Sequence, residues 1–379
     1  MKVAFLIQDL FGRGAEHATA LLTRGFIAKG YEVDLVLSRI HRDKLEAGLK
    51  PFEVPDEVRL VYLKSRHARY NVWSLRRYLK TANAEVLIIV SPAYEITVAL
   101  ASLCLKKRPR LYTVRHTIDF ALNDKLEYRN VDNSWRVKFK DWLSYGRLSG
   151  VLCVAEKVRT EMIRLHHLPE EKVHTVYNPV VDDAFMKKKG KPPSHPWLIE
   201  RDVPTFVTAG AFRPEKNHLL LIEAFKIVNR THPARLIIFG RGDLQAKYED
   251  AIRENSLSEV VSLPGFSESL VSEVAASSGY ISCSQIESFG IAIVEGLACG
   301  VPVISTDAPC GPREILKDGE YGELVPMDNP ELLAQAVVRV IEHGGKKVPD
   351  EAWRRFELSR IVERYEKSCA LHDGHLKEL

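Results

Sequence analysis

Long apolar runs are missing from this sequence: nowhere do the ~20 consecutive apolar residues needed to span a bilayer occur. Met1 to Ile7 reads as a short buried strand rather than a signal peptide. Cysteine is scarce, with six in 379 residues. Cys104, Cys153, Cys283, Cys299, Cys310 and Cys369 are widely spaced and form no Cys-x-x-Cys pair, which argues against a zinc site and against a disulfide framework. The expected compartment is therefore a reducing cytoplasm. Internal repeats are absent too, beyond two half-chains of similar pattern.

What is present is the composition of a folded globular chain, 45% apolar and 27% charged. The length exceeds one ordinary core and suits two domains of about 150 to 180 residues each. Charge divides unevenly: residues 1–178 carry 30 Lys/Arg against 20 Asp/Glu, and residues 179–379 carry 24 against 30. A basic half joined to an acidic half suggests that the first faces something anionic.

The most informative stretch runs from Ser282 to Ser305 and reads as strand end, loop, helix, turn, strand. Ser284 to Ser288 are polar and turn-forming. Gly290 opens an apolar run with helical spacing (Ile291, Val294, Leu297, Ala298), and Gly300 closes it before Val301-Pro302. Glu287 falls just before the first turn and Glu295 inside the helix, roughly 12 Å apart along its axis at 1.5 Å per residue. That span suits one nucleoside diphosphate sugar. The N–H groups and positive dipole end at Phe289, Gly290 and Ile291 suit a diphosphate, and carboxylates accept hydrogen bonds from vicinal hydroxyls, so Glu295 suits a ribose and Glu287 a hexose. By itself the pair reads as readily as an acidic helix cap with a second Glu on a solvated face.

Glu287-Ser288-Phe289-Gly290 with Glu295 after it, then Ala298-Cys299-Gly300-Val301-Pro302-Val303-Ile304-Ser305-Thr306, closely resembles the retaining family-4 glycosyltransferases. The likeness continues through Cys310-Gly311-Pro312-Arg313-Glu314-Ile315 and Gly322-Glu323-Leu324-Val325. The resemblance implies a GT-B fold, two doubly wound Rossmann-like α/β domains facing a central cleft. Residues 1–180 would bind the acceptor, 181–355 the donor, and 356–379 would supply a C-terminal helix returning to the first domain. It further implies a nucleotide-sugar donor, a UDP-sugar foremost, and a glycan or polyprenyl-linked acceptor for cell-surface polysaccharide. No nucleic acid is expected as a partner. The chain has no Asp-x-Asp, the metal-diphosphate signature of the other large glycosyltransferase fold, so no obligatory metal or other cofactor is expected.

Taken in order, Lys2 to Gln8 reads as a strand, followed by Asp9-Leu10-Phe11-Gly12-Arg13-Gly14-Ala15-Glu16 and a helix to about Gly30. Strand, glycine loop, helix is a phosphate-approach arrangement, although the three-glycine dinucleotide fingerprint is incomplete. The family pattern here is Gly-Gly-Ala-Glu; Arg13 replaces its first glycine and Gly14 remains for the donor or acceptor. Val33–Leu37, Val58–Leu63, Glu85–Val90 and Leu111–Val114 are further strands, alternating with helices as in a covered parallel sheet. The last runs into Arg115-His116-Thr117, and ligands in such sheets bind beyond the carboxyl ends of strands. By resemblance, His116 contacts the transferred sugar.

Val131, Trp135, Phe139, Trp142 and Leu143 form one helical stripe flanked by Lys125, Arg129, Arg136, Lys138, Lys140 and Arg147. This suits an interfacial helix on an anionic membrane, peripheral on the inner face, or equally a helix packing its stripe into the core. Lys64, Arg66, Arg69, Arg76, Arg77 and Lys80 form a second basic cluster. After Asn178-Pro179, the Lys/Pro-rich interval from Lys187 to Pro196 reads as a linker or an exposed loop near the hinge.

The second half restarts with a strand at Thr205–Ala209 and the loop Gly210-Ala211-Phe212-Arg213-Pro214-Glu215-Lys216. A lysine at such a mouth neutralises a departing diphosphate. In the family an arginine precedes this lysine by five residues; that position is Ala211 here, with Arg213 as the candidate substitute. Ala234–Phe239 and Val260–Phe266 continue the sheet, and by resemblance the backbone of Gly265 and Phe266 lies beside the nucleotide base. Ser267–Ser278 and the segment from Trp353 read as helices. The catalytic candidates are thus Glu287, His116 and Lys216. The donor-binding set is Gly14, Arg213, Lys216, Gly265, Phe266, Ser288, Phe289, Gly290, Ile291 and Glu295. A catalytically weak nucleotide-sugar-binding partner subunit is the alternative, motivated by Ala211 and Arg13; a nicotinamide oxidoreductase has only the incomplete fingerprint behind it.

Overall fold

The computed structural model describes residues 1–11, 14–38, 51–116 and 141–371, and every structural statement below refers to these. They form two compact units, Met1–Pro179 with Leu358–Leu379, and Val180–Glu357.

The first unit is built on strands β1 (Lys2–Ile7), β2 (Glu32–Leu37), β3 (Arg59–Tyr62), β4 (Val86–Ile89), β5 (Arg110–Arg115), β6 (Gly150–Cys153) and β7 (Val173–Thr175), in the order β3-β2-β1-β4-β5-β6-β7. All pairings are parallel, with Phe5 of β1 opposite Leu35 on one side and Ile88 on the other. Central strands with helices on both faces read as continuous apolar runs, and Val3 to Ile7 are buried accordingly. The helix Gly14–Ala28 lays Phe26 against Phe5, ring centroids 5.6 Å apart.

The second unit has β8 (Thr205–Ala209), β9 (Arg235–Phe239), β10 (Val261–Gly265), β11 (Gly279–Ser282), β12 (Val303–Thr306) and β13 (Glu323–Val325), in the order β10-β9-β8-β11-β12-β13, again all parallel. Its core sets Phe206 of β8 against Phe225 of the helix His218–Val228, with Leu221, Ile238 and Val337 buried beside them. The strand order reverses between β8 and β11. This is the point where a doubly wound sheet leaves a crevice beyond its strand ends.

Three expectations change. Of the two readings of Lys187 to Pro196, the linker gives way to the exposed segment: no residue of it is buried, yet it is part of the second unit. Asp182 caps a helix over Asp183–Lys189, the Lys189 ammonium donates to the carbonyl of Ala298 at 2.9 Å, and the Ser194 amide donates to buried Glu273 at 3.0 Å. The chain instead leaves the first unit after Pro179 and returns after Glu357. Just inside the second unit the outgoing and returning segments pair: the Val180 amide donates to the Phe356 carbonyl at 3.0 Å, and Val181 bridges Glu357.

The closing helix is therefore two, Glu351–Arg354 in the second unit and Leu358–Ser368 in the first, because the crossing interrupts it. The second of these is the helix expected to return. It packs on Gly14–Ala28, with Tyr365 edge-on to Phe26 and buried Glu366 accepting from Lys29 at 2.6 Å and from Tyr31 at 2.9 Å. Third, the helix expected over Ser267–Ser278 shortens to Leu270–Ala276. Of the aromatic stripe, Val131, Trp135 and Phe139 lie outside the described residues; Trp142 is 67% exposed, so it does not fill a core.

Candidate functional site

Lys216 and Glu287, far apart in sequence, meet because their loops leave adjacent strands at the crevice. After β8 the chain turns through a 3-10 segment, Pro214–Lys216, into left-handed Asn217 (φ 48°) and the helix behind it. After β11 it runs through Ser284 to Ser288 and enters the helix Ile291–Cys299 from Gly290. Two clamps hold the loops side by side. The Gln285 amide donates to the Glu215 carbonyl at 2.9 Å, and Asp328 accepts from both Asn217 and Gln285, at 3.1 and 3.0 Å.

The Lys216 ammonium then lies 2.7 Å from the Glu287 carboxylate and 3.5 Å from the Ser284 hydroxyl. Both charged side chains are partly exposed, and with Tyr280, His218 and Gly290 they line a small hollow partly open to solvent. An ion pair with access to water is held loosely enough to be exchanged for a ligand.

Gly290 stands at the cap with φ 107° and ψ 57°, a conformation that disfavours side-chain-bearing residues, and a Cβ there would press on Ile293 at 3.0 Å. The helix ends at left-handed Gly300 (φ 79°) as its sequence predicts. A second loop props the first. The Gly311 amide donates to the Glu287 carbonyl at 3.2 Å, and a Cβ on Gly311 would fall 1.6 Å from the Phe289 carbonyl oxygen. Cys310, just before it, is held at φ 81° and ψ −105°. Strain of this kind persists where surrounding structure over-determines it.

The remaining candidates divide. Glu295 lies one face along the same helix, and burial pushes its carboxyl up to about 7, partly offset by Lys188. Its charge and that of Glu287 both raise the Tyr280 hydroxyl, after burial, but Glu295 is not among the residues that line the hollow. The Phe289 ring is buried on Phe356, centroids 5.5 Å apart, and the residue as a whole is buried outside the hollow's lining. Ser288 and Ile291 are part-buried at the loop end and first helical position. Arg213 is half-exposed, 4.0 Å from Glu215, and outside the hollow's lining. Gly265 ends β10 at φ 87°, with the Arg241 guanidinium resting on it, and Phe266 beyond is 75% exposed.

Gly14 and His116 belong to the first unit. Gly14 is exposed and begins the helix Gly14–Ala28; Arg13 lies outside the described residues. His116 follows β5, where Arg115, Glu95 and Tyr145 form a buried hydrogen-bonded cluster. Its Nε2 is buried without a partner among the described residues, and burial lowers its pKa to about 4, so the ring is neutral at pH 7 and can exchange one hydrogen bond with a hydroxyl.

Sequence reasoning missed His218 and Tyr280. His218 is buried against the hollow, its Nε2 also without a partner among the described residues, and burial with Lys216 nearby lowers its pKa to about 4. Its place two residues after Lys216 was the available signal. Tyr280, within a strand, gave none.

The family model described as Glycosyltransferase Family 4 matches residues 12–184, and that described as Glycosyl transferases group 1 matches residues 194–352. A relative from Campylobacter jejuni, N-acetylgalactosamine-N,N'-diacetylbacillosaminyl-diphospho-undecaprenol 4-alpha-N-acetylgalactosaminyltransferase, is 25% identical, covering 90% of this chain and 90% of its own length. The poly(glycerol-phosphate) alpha-glucosyltransferase of Bacillus subtilis is 32% identical over 38% of this chain and 22% of its own length. Among solved structures, a glycosyltransferase from Rickettsia africae superposes with a TM-score of 0.78 at 18% identity, covering 98% of each chain. Anabaena HepE in complex with UDP and glucose gives 0.74 at 18% identity, covering 98% of this chain and 100% of that one. At these identities the structures establish the shared fold.

Proposed function

Because the chain belongs to the family-4 glycosyltransferases of the GT-B fold, we propose that it is a retaining, metal-independent transferase moving a hexose-type sugar from a UDP-sugar to a lipid-linked or glycan acceptor. The observation that carries this reading is the Lys216–Glu287 contact at 2.7 Å beside the start of the Ile291–Cys299 helix. A donor diphosphate entering there exchanges with Glu287 for the ammonium and meets the positive helix terminus. The released carboxylate then accepts hydrogen bonds from the sugar hydroxyls. As the bond from anomeric carbon to phosphate oxygen breaks, negative charge grows on the leaving diphosphate. Lys216 and the helix terminus are placed to stabilise it, the role a metal plays elsewhere.

The acceptor reading draws on the Campylobacter relative, whose name carries a diphospho-undecaprenol acceptor, and on the basic first half of this chain. The UDP reading draws on Anabaena HepE, whose structure holds UDP and glucose. A lipid-linked acceptor places the protein peripherally on the inner face of the cell membrane.

Incubation of the purified protein with UDP-, GDP- and ADP-sugars tests the reading. Slow release of nucleoside diphosphate, fastest from the UDP-sugar and undiminished by EDTA, is the expected result, with the product keeping the donor's anomeric configuration. Thermal stabilisation by a nucleotide sugar without turnover would replace the transferase by a binding subunit.

A further inference from the structure

The first unit carries an exposed surface whose chemistry the donor site does not use. Between Val58 and Ala84 the sequence has seven Lys/Arg and no Asp or Glu. Within it, the 3-10 turn Ala68–Asn71 runs into the helix Val72–Thr81, and the two bury one face and expose the other. Asn71, Leu75, Tyr78 and Leu79 face inward. The Tyr78 hydroxyl donates to Asp34 at 2.7 Å, and Arg59 of the outermost strand donates to the same carboxylate, which fixes the helix on the sheet. Arg76 is used internally, donating to the carbonyl of Ala101 at 3.1 Å.

The outward stripe, at spacings of three and four, is Tyr70, Trp73, Arg77 and Lys80. Tyr70 is 61% exposed and Trp73 80%, the highest exposure among the large hydrophobic residues described. The Arg69 guanidinium lies 4.7 Å from the Tyr70 ring. Leaving a tryptophan in water has no structural return, and neighbouring cations do not hide it. An aromatic pair ringed by Arg and Lys, with no acid interspersed, matches the boundary of an anionic membrane. There the rings enter the headgroup level while the cations meet lipid phosphates.

We propose that the Tyr70–Trp73–Arg77–Lys80 stripe is a docking surface for anionic lipid headgroups. It gives the membrane contact of the proposed function a place on the molecule, and in purpose it rests on the lipid-linked acceptor. Its test involves no sugar donor, so either reading can fail alone.

The experiment is sedimentation of the full chain with vesicles of phosphatidylcholine containing 30 mol% phosphatidylglycerol, against vesicles of phosphatidylcholine only. Binding to the anionic vesicles is expected to fall with salt and to be weak on neutral ones. Arg77→Glu and Arg69→Glu are each expected to lower partitioning about fivefold or more, and Trp73→Ser comparably. Ile199→Ser, at an exposed position in the second unit, leaves it unchanged. Because the substituted side chains are exposed, unchanged melting and unchanged donor hydrolysis accompany these losses. Equal sedimentation of Trp73→Ser, Arg77→Glu and wild type overturns the proposal, as does absence of binding to anionic vesicles. Wild-type sedimentation combined with lost binding of a soluble glycan in Trp73→Ser would also overturn it, making the stripe a sugar platform.

Discussion

Lys216 is the residue on which the proposed chemistry turns, because its ammonium is held by one carboxylate at the mouth of a helix and remains partly open to solvent. Lys216→Ala should lower turnover on the preferred nucleotide sugar by about 10²- to 10³-fold with a smaller change in donor KM, since its charge matters most when the diphosphate departs. Arg213→Ala, at a residue outside the hollow's lining, should cost less than tenfold in the same assay. The reverse ranking would pass the leaving-group role to Arg213.

Glu295 gives a prediction with a sign. Its carboxyl titrates near 4.5 in an unfolded chain and at about 7 in the fold, because burial penalises the ionised form. The folded protein thus holds the extra proton between those values, and the stability this confers, full below about 4.5, is lost as the pH rises through 7. Glu295→Gln removes the penalty. Relative to wild type, the variant should gain on the order of 1 to 3 kcal/mol between pH 5 and pH 8, read from denaturant unfolding at the two pH values. A pH-independent difference would mean that Glu295 titrates normally.

At the scale of elements, the site is two loops held in register by a third. Gly311 carries this arrangement, since the Phe289 carbonyl occupies the space of any side chain there. Gly311→Ala must displace either the Glu287–Phe289 segment or the start of the Gly311–Ile315 helix. It should cost about 2 kcal/mol or more of stability and raise donor KM, measured by chemical denaturation and by hydrolysis kinetics. Stability lost without a change in KM would show that the third loop yields and the donor loop does not. The Asp328 clamp is exposed and uncharged on its partner side, so its loss should be felt in KM rather than in melting.

For the whole molecule, the decisive feature is a chain that leaves its first unit and returns to it. The returning helix Leu358–Ser368 lies so close to Gly14–Ala28 that a Cβ on Gly25 would come within 2.5 Å of Val362 and 2.9 Å of Leu358. Gly25→Val should push the helix off and destabilise the first unit by about 1 to 3 kcal/mol, visible as a lowered melting temperature. If melting were unchanged, the returning helix would not be integral to that unit.

The sequence by itself determined the architecture and both ends of the helix beside the hollow. Short apolar runs alternating with helical periods dictated parallel strands, and the bounds of β8 fell where the residues indicated. Gly290 and Gly300 marked both ends of the central helix, because a left-handed backbone leaves a glycine in the sequence. Tertiary structure alone decided which charges meet. Lys216 reaches Glu287 only because β8 and β11 are neighbours in the sheet, and no local pattern records that adjacency. It also decided that Lys187 to Pro196, polar enough for a linker, is pinned by Glu273, and that Phe289 spends its ring on Phe356. Periodicity reports which face of a segment is buried; which other segment covers it depends on packing across the whole chain.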